Sequence, residues 1–342
     1  MQPLVVAIDA GRSATKVVYK TPVGSGRFMF PSAAMPARDL SDDAEAQRAA
    51  ADTVRVNGAR YWVGETAVVQ RGPAAGVSLA DDWIESEEHQ VLLLSALKRL
   101  DAILAPKGIA PEASKLIVLG LPGRQFKLQR KRLESVAQTL EGWSQYEVKI
   151  VPQPKAPYNW YLQDDRGGLA RGRSLEESYA VIDVGRYSTD LAVIVNGRFV
   201  EAALDSCDGM KGAAEKMLQF MNERGFRATI TDAERAIAAR SILFRGELVD
   251  LGPETKRATQ SLRDEIMATV TRLVDPYSTT LNGIILAGGG SSIVYDVLTD
   301  GWKNVITETP NNQRFMVAEG MARWAAGILL VRGESAKTAV TR

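Results

Sequence analysis

The stretch Val181-Ile182-Asp183-Val184-Gly185-Arg186-Tyr187-Ser188-Thr189-Asp190-Leu191 decides how the rest of the chain is read. The apolar run from Tyr179 to Ile182 predicts a buried strand, Asp183 and Gly185 open a tight turn, and Leu191 to Val195 predict a returning strand. Such a hairpin gathers backbone N–H groups around one small space, a nest suited to phosphate oxygens. Asp183 at its base can hold a hydrated metal ion against those phosphates.

The same plan stands near the N-terminus, in Leu4-Val5-Val6-Ala7-Ile8-Asp9-Ala10-Gly11-Arg12-Ser13-Ala14-Thr15-Lys16-Val17-Val18-Tyr19. Asp9 matches Asp183, and Gly11 matches Gly185. About 170 residues separate the two, roughly half the chain and a length that suits one domain. A third glycine turn, Gly288-Gly289-Gly290-Ser291-Ser292, follows the apolar run from Ile284 to Ala287. Each alone reads equally as an ordinary hairpin with a turn glycine. The three in this order suggest two related domains gripping a polyphosphate from both sides.

Composition bounds the reading. A chain of 342 residues, 45% hydrophobic, suffices for two domains with cores of their own. A net charge of +1 gives no global basic field for nucleic acid. One cysteine, Cys207, excludes an intrachain disulfide framework and a thiolate metal cluster. The one histidine, His89, lies among Glu85, Glu87 and Glu88 and is expected on a solvated helix face. No apolar run approaches the roughly 18 residues of a membrane span, and the N-terminus enters a strand directly, so the expectation is a cytoplasmic protein without a signal peptide.

Between the hairpins, Asn57-Gly58 predicts a two-residue β-turn between Thr53–Val56 and Ala59–Val63. Residues 31–47 and 66–82 read as loop. Helical spacing covers Trp83 to Ala105 and Gln125 to Trp143, the latter carrying a basic cluster, Lys127, Arg130, Lys131 and Arg132. That cluster reads as a solvated face or as a contact for an acidic neighbour, such as the next subunit of a filament. Later, Thr231-Asp232-Ala233-Glu234 reads as a capping box, Pro253 as the start of a long helix, Val317 to Val331 as the last helix, and Gly333 to Arg342 as a frayed tail.

The ordered motifs resemble the actin-like ATPase superfamily, which includes actin, the sugar kinases and the heat-shock chaperone ATPases. The hairpins look like its two phosphate motifs, and Gly288-Gly289-Gly290 looks like its adenosine motif. Phe30-Pro31-Ser32, Tyr61-Trp62-Val63-Gly64-Glu65, Gly120-Leu121-Pro122, Val151-Pro152-Gln153-Pro154 and Val317-Ala318-Glu319-Gly320 resemble segments of the ParM/StbA-type plasmid-segregation proteins. The resemblance implies an α/β, actin-like ATPase fold: two related domains with central mixed sheets flanked by helices around a nucleotide cleft. Domain I is expected at 1–157, completed by the C-terminal helix at 315–342, and domain II at 158–314.

The resemblance also assigns roles. Gly11, Arg12, Ser13, Ala14, Thr15 and Lys16, with Gly185, Arg186, Tyr187, Ser188 and Thr189, are expected around the phosphates of ATP or GTP. Asp9 and Asp183 are expected to hold Mg2+ through water, and Gln153 to orient the attacking water, with these three as the catalytic set. An amide cannot act as a strong base, so slow turnover is expected. Gly288, Gly289, Gly290 and Ser291 are expected to border the adenosine, with Lys211 and Glu215 beside it. Arg186, where many relatives have a small residue, reads as a phosphate contact or as pointing away.

The implied function is a slow ATPase that polymerises and segregates DNA. Its partners would be its own copies and a DNA-binding adaptor, without direct DNA or membrane contact. A non-filament ATP-binding scaffold and a metabolic kinase of the same superfamily are the alternatives.

Overall fold

In the computed structural model, which describes residues 3–71 and 83–340, the first strand, β1 (Leu4–Ala10), has six consecutive buried residues. Leu4, Val6 and Ile8 enter one core, and Val5 and Ala7 enter another on the opposite face. The alternation is that of a strand covered on both sides, which is why its sequence is a continuous apolar run.

The chain forms two units, Met1–Leu175 with Phe315–Arg342, and Glu176–Arg314. In the first unit, β1 is followed by β2 (Ala14–Thr21), β3 (Gly24–Pro31), β4 (Ala34–Pro36), α1 (Asp43–Ala51), β5 (Thr53–Val56), β6 (Ala59–Val63) and α2 (Glu65–Arg71). Then come a single 3-10 turn (Trp83–Glu85), α3 (Glu87–Leu104), β7 (Lys115–Leu121), α4 (Gly123–Thr139), β8 (Glu147–Pro152) and α5 (Lys155–Leu162). The main sheet has the order β3-β2-β1-β7-β8; β4, β6 and β5 form a smaller sheet.

The second unit holds β9 (Tyr179–Val184), β10 (Ser188–Val195), β11 (Arg198–Asp208), α6 (Met210–Glu223), α7 (Ile230–Ala239), β12 (Ser241–Phe244) and β13 (Glu247–Asp250). It continues with α8 (Gly252–Leu273), β14 (Gly283–Ala287), α9 (Tyr295–Gly301), β15 (Val305–Ile306) and α10 (Pro310–Gln313). Its sheet order is β11-β10-β9-β14-β15. In each sheet three strands meander antiparallel and two more add parallel to the first. The halves therefore repeat in strand order and direction.

The last helix, α11 (Met316–Val340), returns to the first unit. Its small residues allow close backbone packing. A Cβ on Gly320 would lie 1.7 Å from the Ala156 carbonyl oxygen, and one on Gly167 would lie 2.0 Å from the Gly327 nitrogen. Arg332 holds Glu147 of β8 through two hydrogen bonds, of 2.7 and 2.8 Å. Because α5 and the loop to Leu175 pack on α11, the unit boundary falls at 175/176, beyond the expected 157/158.

Several local expectations are corrected. Residues 31–47, read as loop, contain β4 and the start of α1, whose cap is Asp42 accepting from the Glu45 amide. Residues 66–71 lie in α2 rather than loop; the expected loop at 72–82 lies outside the described residues. The capping box of α7 is formed by Thr229 and Asp232, two residues before the expected frame, and Glu234 pairs instead with Arg186 at 2.5 Å. The final helix continues across Gly333 into a segment of Glu, Ala and Lys, good helix formers. His89 is buried, not solvated, with its ring edge-on to Trp83 at 5.6 Å. Among the described residues, no helix is long and apolar enough to cross a membrane.

Candidate functional site

In the first unit, Asp9 sits one residue before the end of β1, with Lys16 directly opposite on β2. Lys16 Nζ is 2.7 Å from Asp9 Oδ2, and Gln153 Nε2 donates to Asp9 Oδ1 at 3.0 Å. Asp9 is buried, so these two partners offset the cost of its charge. Gln153 is held by its backbone, donating to the Leu121 carbonyl at 2.8 Å and accepting from Ala156 at 2.9 Å. Gly120 makes room for its side chain, since a Cβ there would lie 2.7 Å from Gln153 Cγ.

The turn from Gly11 to Ala14 is braced from behind. The Ser32 hydroxyl donates to the Gly11 carbonyl, and the Ser32 amide to the Ser13 carbonyl at 3.1 Å. Thr15 has no exposed surface, and its hydroxyl lies 2.9 Å from that of Ser32. Ser13 is exposed, Ala14 buried and Arg12 half-buried, with its guanidinium carbon 5.4 Å from the Trp83 ring centroid.

In the second unit, Asp183 stands opposite Asp190, where the first hairpin has a lysine. Ser188 donates to Asp190 Oδ2 at 3.0 Å. The turn closes through the Gly185 amide on the Ser188 carbonyl at 2.9 Å. Two amides of the first turn of α6 take the turn's carbonyls: Met210 to Gly185 at 3.0 Å and Lys211 to Arg186 at 2.7 Å. Among the described residues, the amides of Arg186 and Tyr187 donate to no backbone carbonyl. Two carbonyls of the turn taken by α6 and two amides without a backbone acceptor are the hydrogen-bond pattern of an anion nest.

Gly209 makes this packing possible, because a Cβ there would lie 2.6 Å from Ser188 N and 2.7 Å from the Arg186 carbonyl. Thr189 is buried and donates to the Asp208 carbonyl at 2.9 Å. Arg186 pairs with Glu234 of α7 and stacks at 5.3 Å from the Tyr187 ring. Burial raises the Glu234 carboxyl above its usual range and Arg186 opposes that shift. The half-exposed Lys211 and Glu215 face one another at 3.4 Å. Burial pushes the neighbouring Cys207 thiol up to about 11, which keeps it protonated and unreactive.

The glycine triplet approaches Asp183 closely. A Cβ on Gly288, at φ 90°, would lie 2.4 Å from Asp183 Oδ1, and one on Gly290 would lie 2.6 Å from Val184 Cγ1. At Gly289 the nearest atom would be 3.5 Å away, an ordinary contact. Ser291 is fully buried, donating to the Ala287 and Gly288 carbonyls at 2.6 Å. Positions 288 and 290 thus require glycine because of Asp183 and Val184.

The structure groups Asp9, Lys16 and Gln153 with the first turn, and Asp183, the second turn and Gly288 with one another. Ser32 and Gly120 were missed as site residues; Phe30-Pro31-Ser32 and Gly120-Leu121-Pro122 were visible as motifs without a role. Among the described residues, no group of three or more His, Cys, Asp or Glu side chains could hold a metal. Asp9 and Asp183 are each a single carboxylate beside a glycine turn of its own unit, a donor set that suits only an ion keeping most of its water, as magnesium does.

Two Asp-x-Gly hairpins, on sheets of one order and one set of strand directions, define an actin-like ATPase fold. A family model for the N-terminal domain of actin-like proteins matches residues 7–154. A model for the C-terminal part of archaeal MreB-like actin homologues matches residues 181–300. The chain belongs to the actin-like superfamily.

No curated protein matches it significantly in sequence. Among solved structures, a 15-stranded ParM filament from Clostridium botulinum is 23% identical with a TM-score of 0.71, covering 95% of this chain and 99% of its own. An archaeal actin homologue in complex with ADP is 21% identical with a TM-score of 0.71, covering 94% and 99%. Bacillus thuringiensis ParM with AMPPNP is 15% identical with a TM-score of 0.64, covering 96% and 99%.

Proposed function

We propose that the protein is a slow, magnesium-dependent ATPase that polymerises into filaments and positions or partitions DNA through a DNA-binding adaptor. The observation that carries this reading is the repeated hairpin: each unit has a tight glycine turn beside a carboxylate, on a sheet of the same order. Relatives of the same fold support it, one being a ParM filament and others being bound to ADP or AMPPNP.

In this reading the amides of Arg186 and Tyr187, and the turn at Gly11 to Ala14, bind phosphate oxygens. Asp9 and Asp183 hold the waters of magnesium, whose charge stabilises the phosphates. Lys16 offsets the charge of Asp9 and keeps it oriented. Gln153 orients the attacking water; as an amide it aims rather than deprotonates, so turnover is slow. The amide also disfavours a metabolic kinase, which needs a carboxylate base for its acceptor hydroxyl.

Right-angle light scattering with pelleting, on purified protein given ATP and magnesium, tests the proposal. Scattering that rises with ATP and decays as phosphate is released supports it. ATP binding without polymer at any concentration shifts the reading to a non-filament scaffold.

A further inference from the structure

Trp83 belongs to no motif of the site, yet it meets the first phosphate turn. The Arg12 guanidinium lies over its ring, 5.4 Å from the centroid. Trp83 is 9% exposed, and the His89 imidazole also meets its ring, edge-on at 5.6 Å. Burial pushes the pKa of His89 down to about 4, so the imidazole is neutral near pH 7, and among the described residues Arg12 is the cation on this ring.

Trp83 itself is anchored. Its carbonyl accepts from the Ser86 amide at 3.1 Å and from the Ser86 hydroxyl at 2.7 Å. Ser86 in turn caps α3 by accepting from the His89 amide. Two residues on, Glu85 pairs with Arg132 of α4 at 2.8 Å. The turn that carries Trp83 is thus tied to α3 and α4, whereas Arg12 stands on the turn between β1 and β2.

We propose that Trp83 is a positioning residue for triphosphate binding: its face holds the Arg12 guanidinium so that the guanidinium edge meets the terminal phosphate of a nucleoside triphosphate. Stacking uses the face of a guanidinium and phosphate binding uses its in-plane N–H groups, so one arginine serves both at once. The inference rests on the nucleotide reading above and adds discrimination between triphosphate and diphosphate.

The test is the affinity of the full chain for a non-hydrolysable ATP analogue and for ADP, both with magnesium. Trp83→Leu is expected to weaken the analogue about tenfold and ADP by less than about twofold, the range of one cation–π contact. Trp83→Phe, which keeps an aromatic face, restores most of the loss. Arg12→Ala, a half-exposed change that spares the core, gives a loss like that of Trp83→Leu, and the double variant loses little more than either single. Additive losses, equal losses for ADP, or no rescue by phenylalanine overturn the proposal while leaving nucleotide binding intact. Wild-type protein that binds neither nucleotide overturns the nucleotide reading and this inference with it.

Discussion

Gln153 donates from Nε2 to Asp9 Oδ1 across 3.0 Å, joining the end of β8 to the base of the first hairpin. With Lys16 on the other carboxylate oxygen, the three side chains form one network. Its members differ in what their loss does. Gln153→Ala leaves Asp9 paired with Lys16 and the fold intact, while the proposed water loses its orienting amide. ATPase kcat is expected to fall roughly 100-fold, the usual scale for a positioned catalytic group, with KM nearly unchanged. Asp183→Ala is expected to lose most activity while the protein still folds. Steady-state phosphate release checks both, and wild-type turnover by Asp183→Ala removes that residue from the mechanism.

Gly120→Ala should imitate the loss of Gln153 without touching it. The added methyl would sit 2.7 Å from Gln153 Cγ and 3.2 Å from Met321 Sδ, and the flexible amide side chain is the neighbour that can move. The expected result is a kcat loss close to that of Gln153→Ala, with a melting temperature within a few degrees of wild type, since the steric cost of about 1–2 kcal/mol is relieved by that movement. Full activity in Gly120→Ala would separate the Gln153 position from catalysis.

The glycine turns of the second unit give a graded series. Gly288→Ala places a Cβ 2.4 Å from Asp183 Oδ1 at a left-handed φ, and Gly209→Ala places one 2.6 Å from the Ser188 nitrogen; Gly289→Ala has 3.5 Å of room. The first two should each cost about 1–3 kcal/mol of stability and lose nucleotide binding, and the third should cost little of either. Chemical denaturation with a fluorescent ATP analogue checks the order; a Gly289 variant as damaged as Gly288 would contradict it.

The two hairpins were legible in the sequence because strand, Asp, x, Gly, turn and strand are local features repeated in order. Arg186 was not: its partner, Glu234, is remote in sequence. α1 was missed because its Asp42–Glu45 start stands in a segment rich in alanine and acids, with one buried residue, Ala49, to give it an apolar period. Thr15 and Ser291 were expected around the nucleotide, and only three-dimensional packing shows their hydroxyls turned inward, bracing the turns they belong to.

His89 gives a pH dependence whose sign follows from its burial. Its pKa is pushed down from the ordinary 6.5 to about 4 because the fully buried ring cannot hydrate a charge, and the contribution of Ile84's backbone only partly opposes this. Between those values the unfolded chain binds a proton that the folded chain does not. Stability therefore rises with pH across this window and is lost as pH falls from about 6.5 towards 4. The full span is worth about 3 kcal/mol, at 1.36 kcal/mol per pKa unit. His89→Leu keeps an apolar side chain against Trp83 and removes the titrating group. Denaturant unfolding of wild type and variant at several pH values should show the wild-type curve falling through this window and the difference between the two narrowing or reversing there. Parallel curves would mean that the imidazole is protonated in the folded state, and would return His89 to solvent.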